Sequence, residues 1–368
     1  MALSPLFHPV SFDEVPGWRD DDKSQAFAAF RRSACRFLEK PYRSGSLGVE
    51  AGSFATAYAA ALNLGAVGPA EADAFFVEHF RPALIAPKDG GRGFVTGFYE
   101  PEVEASPVAT GRFTVPLLSR PDDLIDIDET NRPAGFDSYF AFGRQADNGI
   151  VEYYDRAAIE QGALDGCGLE IAWLADRVDA FFIHVQGAAR LKMTDGTIRR
   201  VTYAAKTGHR FTGAGRVLAD LGEIPPGDVT MQSIRMWFGD NPGRVNEILW
   251  QNRSYIFFRE APVPDESLGP IAAAKVQLTP GRSVAVDRLL HTFGTPFFID
   301  SQSLLAFDGA PFRRLMIAQD TGSAITGPAR GDLFAGSGRA AGEIAGVIRH
   351  PADFYALLPL GLFAEQSA

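Results

Sequence analysis

Three aspartates stand where apolar segments end, and a carboxyl group in such a position could act as a general acid. The apolar segment 315–319 runs into Asp320, Asp332 follows twelve residues later, and Asp287 ends the apolar run 283–286. Burying a carboxylate is costly unless it is paired or hydrogen-bonded. Partial desolvation also raises its pKa, which suits proton donation near neutral pH.

The alternative is that all three are turn residues whose carboxylates accept backbone hydrogen bonds. For any single aspartate at a strand end this alternative is favoured, and the spacing alone does not decide between the two. The residues after Asp320 do favour a site. Thr321, Gly322 and Ser323 are small, which leaves room for a bulky ligand to approach the backbone.

Several other chemistries lack their sequence signals. The chain has no His-Glu-x-x-His, no Gly-x-Ser-x-Gly and no Walker-type phosphate loop. The glycines at 336–342 resemble a dinucleotide fingerprint whose third glycine is one residue late, and we interpret them as a turn. Asp-Thr-Gly at 320–322 matches the aspartic protease motif, but a single-chain protease needs a second copy, which is absent.

Helices are predicted in the N-terminal part of the chain. Apolar spacing predicts helices over 23–40, 52–64 and 70–85, and a further helical region over 213–250. From residue 340 the chain is rich in Gly and Ala and is predicted to close with a short helix.

Short β-like runs separated by Gly, Pro and Asp occupy most of the chain after residue 94. Their spacing favours β-barrels or sandwiches over a βαβ sheet. The predicted strands are 94–99, 113–118, 181–185, 197–204, 255–259, 275–278, 283–286, 295–299 and 315–318.

Composition indicates a folded protein of about two domains. The chain has 368 residues, of which 46% are hydrophobic, and no apolar run is long enough to span a membrane. The net charge of −10 argues against a nucleic-acid partner. No linker composition separates the two domains, so we expect one to be inserted into the other.

The two cysteines and the N-terminus carry weaker signals. Cys35 and Cys167 have no metal-ligand spacing, and we interpret them as small buried residues, with a disulfide as the alternative. The first residues show neither a secretion signal nor a lipid-attachment cysteine. The protein is then either cytosolic or exported by a leader that this chain does not include.

Ordered motifs along most of the chain resemble the membrane-bound lytic murein transglycosylase A family, including its three-aspartate C-terminal domain. Position 98 is Phe where the family usually has Tyr, and Glu100 adds a negative charge. The matching segments are 12–18, 30–35, 96–101, 182–187, 203–209, 231–235, 252–258, 285–287, 294–296, 319–322, 324–327 and 331–334.

The resemblance implies a mainly β fold with N-terminal helices. A double-psi β-barrel would be formed by 1–104 and 246–368, with the three-aspartate motif within 275–335. A smaller β-barrel domain would be inserted at 105–245, and a substrate groove would lie between the two.

The resemblance also implies site residues. Asp320 would be the catalytic residue, while Asp287 and Asp332 would orient it or keep its proton by like-charge repulsion. The expected substrate-binding residues are Thr96, Tyr99, Glu100, Gln186 and Lys206. For Tyr99 the alternative is a core aromatic and for Gln186 a buried amide, and His184 and His209 are expected to be structural.

The implied reaction is cleavage of the β-1,4 bond between N-acetylmuramic acid and N-acetylglucosamine without water, which leaves a 1,6-anhydro end. It needs no metal and no cofactor. The implied partners are the glycan strand of peptidoglycan and cell-wall synthesis proteins. A monomer suffices, and the expected location is the periplasm, in association with the outer membrane. A glycan-binding protein without catalysis and a hydrolytic muramidase are the alternatives.

Overall fold

The helices and strands follow one another in three stretches of chain. The computed structural model describes residues 3–87 and 90–364. The first stretch contains β1 (Phe7–Pro9), α1 (Ser24–Glu39), α2 (Ala55–Asn63), α3 (Pro69–His79), β2 (Phe80–Ile85) and β3 (Gly93–Glu100), with 3-10 turns at Phe12–Glu14, Trp18–Asp20 and Ala51–Phe54.

The second stretch contains β4 (Glu102–Ser106), β5 (Val115–Leu118), β6 (Leu124–Asp126), β7 (Phe142–Ala146), β8 (Gly149–Val151), α4 (Arg156–Ala158), a π-helical turn (Ile159–Ala163), β9 (Glu170–Leu174), α5 (Arg177–Gln186), β10 (Ala188–Met193), β11 (Ile198–Lys206), α6 (Ala214–Asp220), α7 (Met231–Asp240), α8 (Val245–Leu249) and β12 (Ile256–Ala261). Two 3-10 turns lie at Pro226–Asp228 and Pro242–Arg244. The third stretch contains β13 (Ser283–Val286), β14 (Pro296–Ser301), β15 (Phe312–Asp320), β16 (Arg330–Ser337), α9 (Gly338–Ala345), β17 (Arg349–Pro359) and α10 (Gly361–Ala364).

The first and third stretches together build one unit, Met1–Tyr99 with Asp265–Ala368. Its sheet runs β1-β2-β17-β14-β15-β13-β16-β3, and β3 pairs again with β17. Six strands therefore close into a barrel, as the double-psi expectation requires, with β2 and β1 as an extension. The barrel core is apolar and aromatic, and Phe30 of α1 joins it through edge contacts with the rings of Phe76 and Phe80.

The second unit, Glu100–Pro264, has cores of its own. Its main sheet runs β12-β11-β10-β4-β9-β5, and a bridge between Ser119 and Phe258 leads from the end of β5 back to β12. The expected insert covered 105–245, whereas this unit extends to Pro264. The difference arises because β12 pairs with β11 over six residues and so belongs to the second sheet.

Three local predictions are wrong, and each has a physical reason. The predicted helix 70–85 ends at His79, because Pro82 lacks the N–H that a helix interior needs. The segment 181–185 is helical, since Asp176 caps α5 by accepting hydrogen bonds from two backbone N–H groups. Residues 275–278 form part of a tight turn with a single bridge between Ile271 and Gln277.

The cysteines also differ from expectation. Cys35 and Cys167 are both exposed and both free thiols, so they are neither buried nor disulfide-bonded. Across 3–87 and 90–364, the helices are too short or too polar for any of them to cross a bilayer.

Candidate active site

Strand β13 brings Asp320 and Asp332 to the same level of the barrel. Ala285 pairs with Asp320 on β15 in one direction and with Asp332 on β16 in the other. Two strand spacings separate the aspartates, so their Cα atoms lie about 10 Å apart, with side chains directed to the same face. A site at this level has one carboxyl group on each side.

A β-bulge sets the direction of the Asp320 side chain. The register between β13 and β15 skips Gln319, which leaves that residue as an extra position before Asp320. The Gln319 amide is fully buried and fixed by Ser283, Ala29 and Ser33, at 2.6, 2.8 and 2.9 Å. These hydrogen bonds hold the bulge in place.

The Asp320 carboxyl lies in surroundings that favour its protonated form. Desolvation by the surrounding protein raises its pKa to about 6, and the nearby charge of Asp332 acts in the same direction. The backbone N–H of Ala273 donates to Oδ1 at 3.1 Å and limits the rise. The residue remains partly accessible, as proton exchange with a ligand requires.

Asp332 is held by Thr96 on the neighbouring strand β3, and Arg330 on its own strand β16 supports that contact. The hydroxyl of Thr96 on β3 donates to Asp332 Oδ1, and Arg330 donates to the same hydroxyl at 2.7 Å. Burial raises the Asp332 pKa, while the Thr96 hydrogen bond and the Arg330 charge oppose that rise. Thr96, expected from the family resemblance to bind substrate, thus lies beside Asp332, and its contact with substrate stays a prediction.

Asp287 holds the turn that follows β13 and the loop that leads to Asp332. Its carboxylate accepts backbone N–H groups from Leu289 at 3.0 Å and Gly327 at 2.8 Å. His291 donates from Nε2 to the Pro328 carbonyl at 2.8 Å. The contacts to Gly327 and Pro328 fasten the segment 321–329 that joins Asp320 to Asp332, which agrees with the turn-residue alternative for Asp287. Its catalytic role stays a prediction.

Tyr99 and Glu100 lie at the end of β3 and are both buried. The Tyr99 ring packs closely on Gly342 of α9: a Cβ added to that glycine would lie 2.9 Å from the ring. This packing supports the core-aromatic alternative for Tyr99. The expected substrate role of Glu100 stays a prediction that its burial argues against. Its carboxylate is 1% exposed and accepts hydrogen bonds from Arg200 Nε and Nη2 at 2.6 and 3.0 Å, inside the second unit.

The two remaining predicted residues belong to the second unit. Gln186 is the last residue of α5 and is half-buried. The Lys206 ammonium at the end of β11 lies 5.5 Å from the centre of the Tyr139 ring, and burial lowers its pKa. Both remain predictions as ligand contacts.

Comparison with known proteins identifies the family. A family model described as the MltA specific insert domain matches 94–259, and one described as the 3D domain matches 282–358. A solved membrane-bound lytic murein transglycosylase from Agrobacterium tumefaciens is 50% identical, with a TM-score of 0.91 over 98% of this chain and 99% of that one. MltA from Neisseria gonorrhoeae is 32% identical, with a TM-score of 0.80 over 96% and 93%. The chain belongs to the membrane-bound lytic murein transglycosylase A family.

A curated member of this family, the Vibrio cholerae protein of that name, is 34% identical over 200 residues. The match covers 53% of this chain and 53% of that protein, so the chain spans about half the length of the curated relative. The matched 3D domain contains Asp287, Asp320 and Asp332.

Sequence reasoning missed two parts of this family site. Arg330 stands two residues before Asp332 on the same strand, so both side chains lie on one face of the sheet. That spacing could have indicated that Arg330 belongs to the site. The turn at 272–275 carries no such signal. It directs the N–H groups of Ala273 and Ala274 to Asp320 Oδ1 and the Gln319 carbonyl, and Lys275 in this turn has a φ of 62°.

With its pKa raised to about 6, the Asp320 carboxyl is suited to proton transfer near neutral pH. Within the described ranges, no group of three His, Cys, Asp or Glu residues could hold a metal ion. The side chains of Asp320 and Asp332 are of the type that acid and base catalysis uses.

Proposed function

We propose that this protein is a lytic transglycosylase that cleaves the glycan strands of peptidoglycan, with Asp320 as its acid and base. The observation that carries the proposal is the Asp320 carboxyl, whose pKa is raised to about 6 at the end of a bulged strand opposite Asp332. Family membership supplies the substrate class.

The reaction would proceed in two steps. Protonated Asp320 donates to the oxygen of the β-1,4 bond, and the bond from that oxygen to the anomeric carbon of N-acetylmuramic acid breaks. The Asp320 carboxylate then takes the proton from the C6 hydroxyl of the same sugar. At the same time, the oxygen of that hydroxyl bonds to the anomeric carbon. The product carries a 1,6-anhydro end, and Asp320 is protonated again. Because the nucleophile is intramolecular, it has a high effective concentration.

Asp332 would stay charged through this cycle. Burial raises the Asp332 pKa, whereas Thr96 and Arg330 favour its carboxylate form. The carboxylate would stabilise the positive charge that develops on the anomeric carbon. The same charge discourages early ionisation of Asp320. Asp287 would act as a positioning residue for the connecting loop.

The proposal also covers the substrate contacts, the partners and the location. Gln186 and Lys206 remain candidates for contacts to the glycan, and Tyr99 would support the site through packing. The family implies no cofactor. Cell-wall synthesis proteins are the proposed partners, and the family name supports a membrane-associated enzyme in the periplasm.

Mass spectrometry of digested peptidoglycan tests the reaction. The wild-type protein and Asp308→Asn, a matched change on the surface of the same barrel, should release anhydro-muropeptides, and Asp320→Asn should release at least a thousandfold less. Reducing-end products would identify a hydrolase instead. Retained glycan binding without products from the wild type would favour the binding-protein alternative.

A further inference from the structure

A cavity of about 460 Å³ lies within the second unit, and the residues that line it take no part in the proposed reaction. It is bounded by β5, β9, α5 and the π-helical turn Ile159–Ala163. Its volume falls in the range of small-molecule sites, and π-helical turns are frequent at functional positions. Trp173 and Tyr255 contribute aromatic surface to its walls.

His184 presents an unused hydrogen-bond donor in this cavity. The residue is 6% exposed, and Arg156 Nη2 lies 3.1 Å from its Nδ1. A guanidinium can only donate, so Nδ1 accepts and the ring proton resides on Nε2. Burial and the Arg156 charge lower the His184 pKa and keep the ring neutral. In the ranges that the structure describes, Nε2 has no acceptor.

An N–H group that lines an open cavity and has no protein acceptor can donate to a ligand oxygen that enters the cavity. The ring cannot easily turn away, because it packs edge-on against Tyr255 with the centroids 4.4 Å apart. A ligand carbonyl that reached Nε2 would therefore meet a donor of fixed direction.

The charges of the wall select against an anionic ligand. Two cations, Arg156 and Arg177, face three anions, Glu160, Asp165 and Glu170. Arg156 is already paired with Glu160 at 3.0 Å, and the other oxygen of Glu160 accepts the Trp250 indole N–H at 2.9 Å. The cavity thus lacks the excess positive charge that phosphate or a peptide carboxylate would need.

We propose that this cavity is an accessory binding site for one N-acetylhexosamine unit of a glycan strand. The acetamido carbonyl accepts from His184 Nε2, the apolar face of the sugar ring lies on Trp173, and the carboxylates at the rim accept its hydroxyl groups. The choice of sugar rests on the proposed function, whereas the donor and the cavity do not.

Titration calorimetry with N-acetylglucosamine tests the site, and Asp320→Asn serves as the parent protein so that no substrate is consumed. His184→Asn is the sharpest variant, because the Asn oxygen can replace Nδ1 as acceptor for Arg156 while the Nε2 donor is lost. Trp173→Ala removes the half-buried aromatic wall, and Phe211→Ala is the matched change of an exposed aromatic outside the cavity.

We expect His184→Asn and Trp173→Ala each to weaken binding about tenfold and Phe211→Ala to leave it unchanged. Glucose, which lacks the acetamido group, should bind at least about tenfold more weakly than N-acetylglucosamine. No binding by the parent, or binding that neither cavity variant alters, would overturn the proposal. Because the parent is inactive by design, these results are independent of whether the wild type releases anhydro products.

Discussion

The proton on Asp320 depends on the surroundings of the carboxyl group. Because only the protonated form can donate, kcat/KM on peptidoglycan should fall as pH rises through about 6. Asp332→Asn removes a negative charge that raises the Asp320 pKa, so it should move this alkaline limb to lower pH and also reduce the rate. Asp308→Asn should leave the limb in place. An identical limb in all three proteins would mean that another group titrates.

The same carboxyl should lower the stability of the barrel at high pH. Its pKa rises from 3.8 to about 6 on folding, so the stabilisation from protonation is present below pH 4 and is lost as pH rises through 6. The rise corresponds to about 3 kcal/mol at most, and partial exposure reduces this figure. Asp320→Asn should therefore melt a few degrees higher than the wild type at pH 8 and at a similar temperature at pH 4. If the wild type and Asp320→Asn melted at the same temperature at both pH 4 and pH 8, the ionised Asp320 would not destabilise the folded barrel.

At the scale of elements, the Glu100–Arg200 ion pair ties the end of β3 to β11. Both side chains are buried, so Glu100→Gln leaves the Arg200 charge without its carboxylate at a cost of about 3–5 kcal/mol. Thermal unfolding should show a large drop in melting temperature, while kcat of the folded variant is retained. Glu104→Gln, which breaks the exposed pair with Arg112, should cost less than about 1 kcal/mol. Normal stability with a raised KM would restore the substrate role for Glu100.

Helices and strands whose apolar residues follow a clear helical or strand pattern could be predicted from the sequence. Those that depend on pairing with residues far away in the chain could not. The helix α1 and the strands β13 and β15 follow from local apolar patterns. The strand β17 was missed, because its burial comes from pairing with β14, β2 and β3, which no local pattern reveals.

The site residues also differ in whether the sequence alone could predict their roles. Asp320 could be singled out because its strand, its small neighbours and the family motif coincide. The ion pair of Glu100 could not, since its partner lies 100 residues away. Asp287 has the sequence features of Asp320, but it bonds to the N–H groups of a turn, and this difference depends on loop geometry.

At the scale of the whole molecule, the barrel of the first unit depends on both ends of the described chain. Strand β17 pairs with β14 from its own stretch and with β2 and β3 from the N-terminal stretch, so the barrel closes only when residues 349–359 are present. A chain that stops after Ile348 loses these pairings and exposes the unpaired edges of three strands.

We expect that truncated chain to be insoluble or to show no cooperative unfolding. A chain that stops after Leu360 keeps β17 and loses only α10 and the last residues of the chain, including the packing of Leu362 and Phe363 on the core. It should unfold cooperatively, with a melting temperature a few degrees lower, because two partly buried side chains contribute only a few kcal/mol. Circular dichroism during heating separates the two cases. Cooperative unfolding of the shorter chain would show that the N-terminal strands complete the barrel without β17.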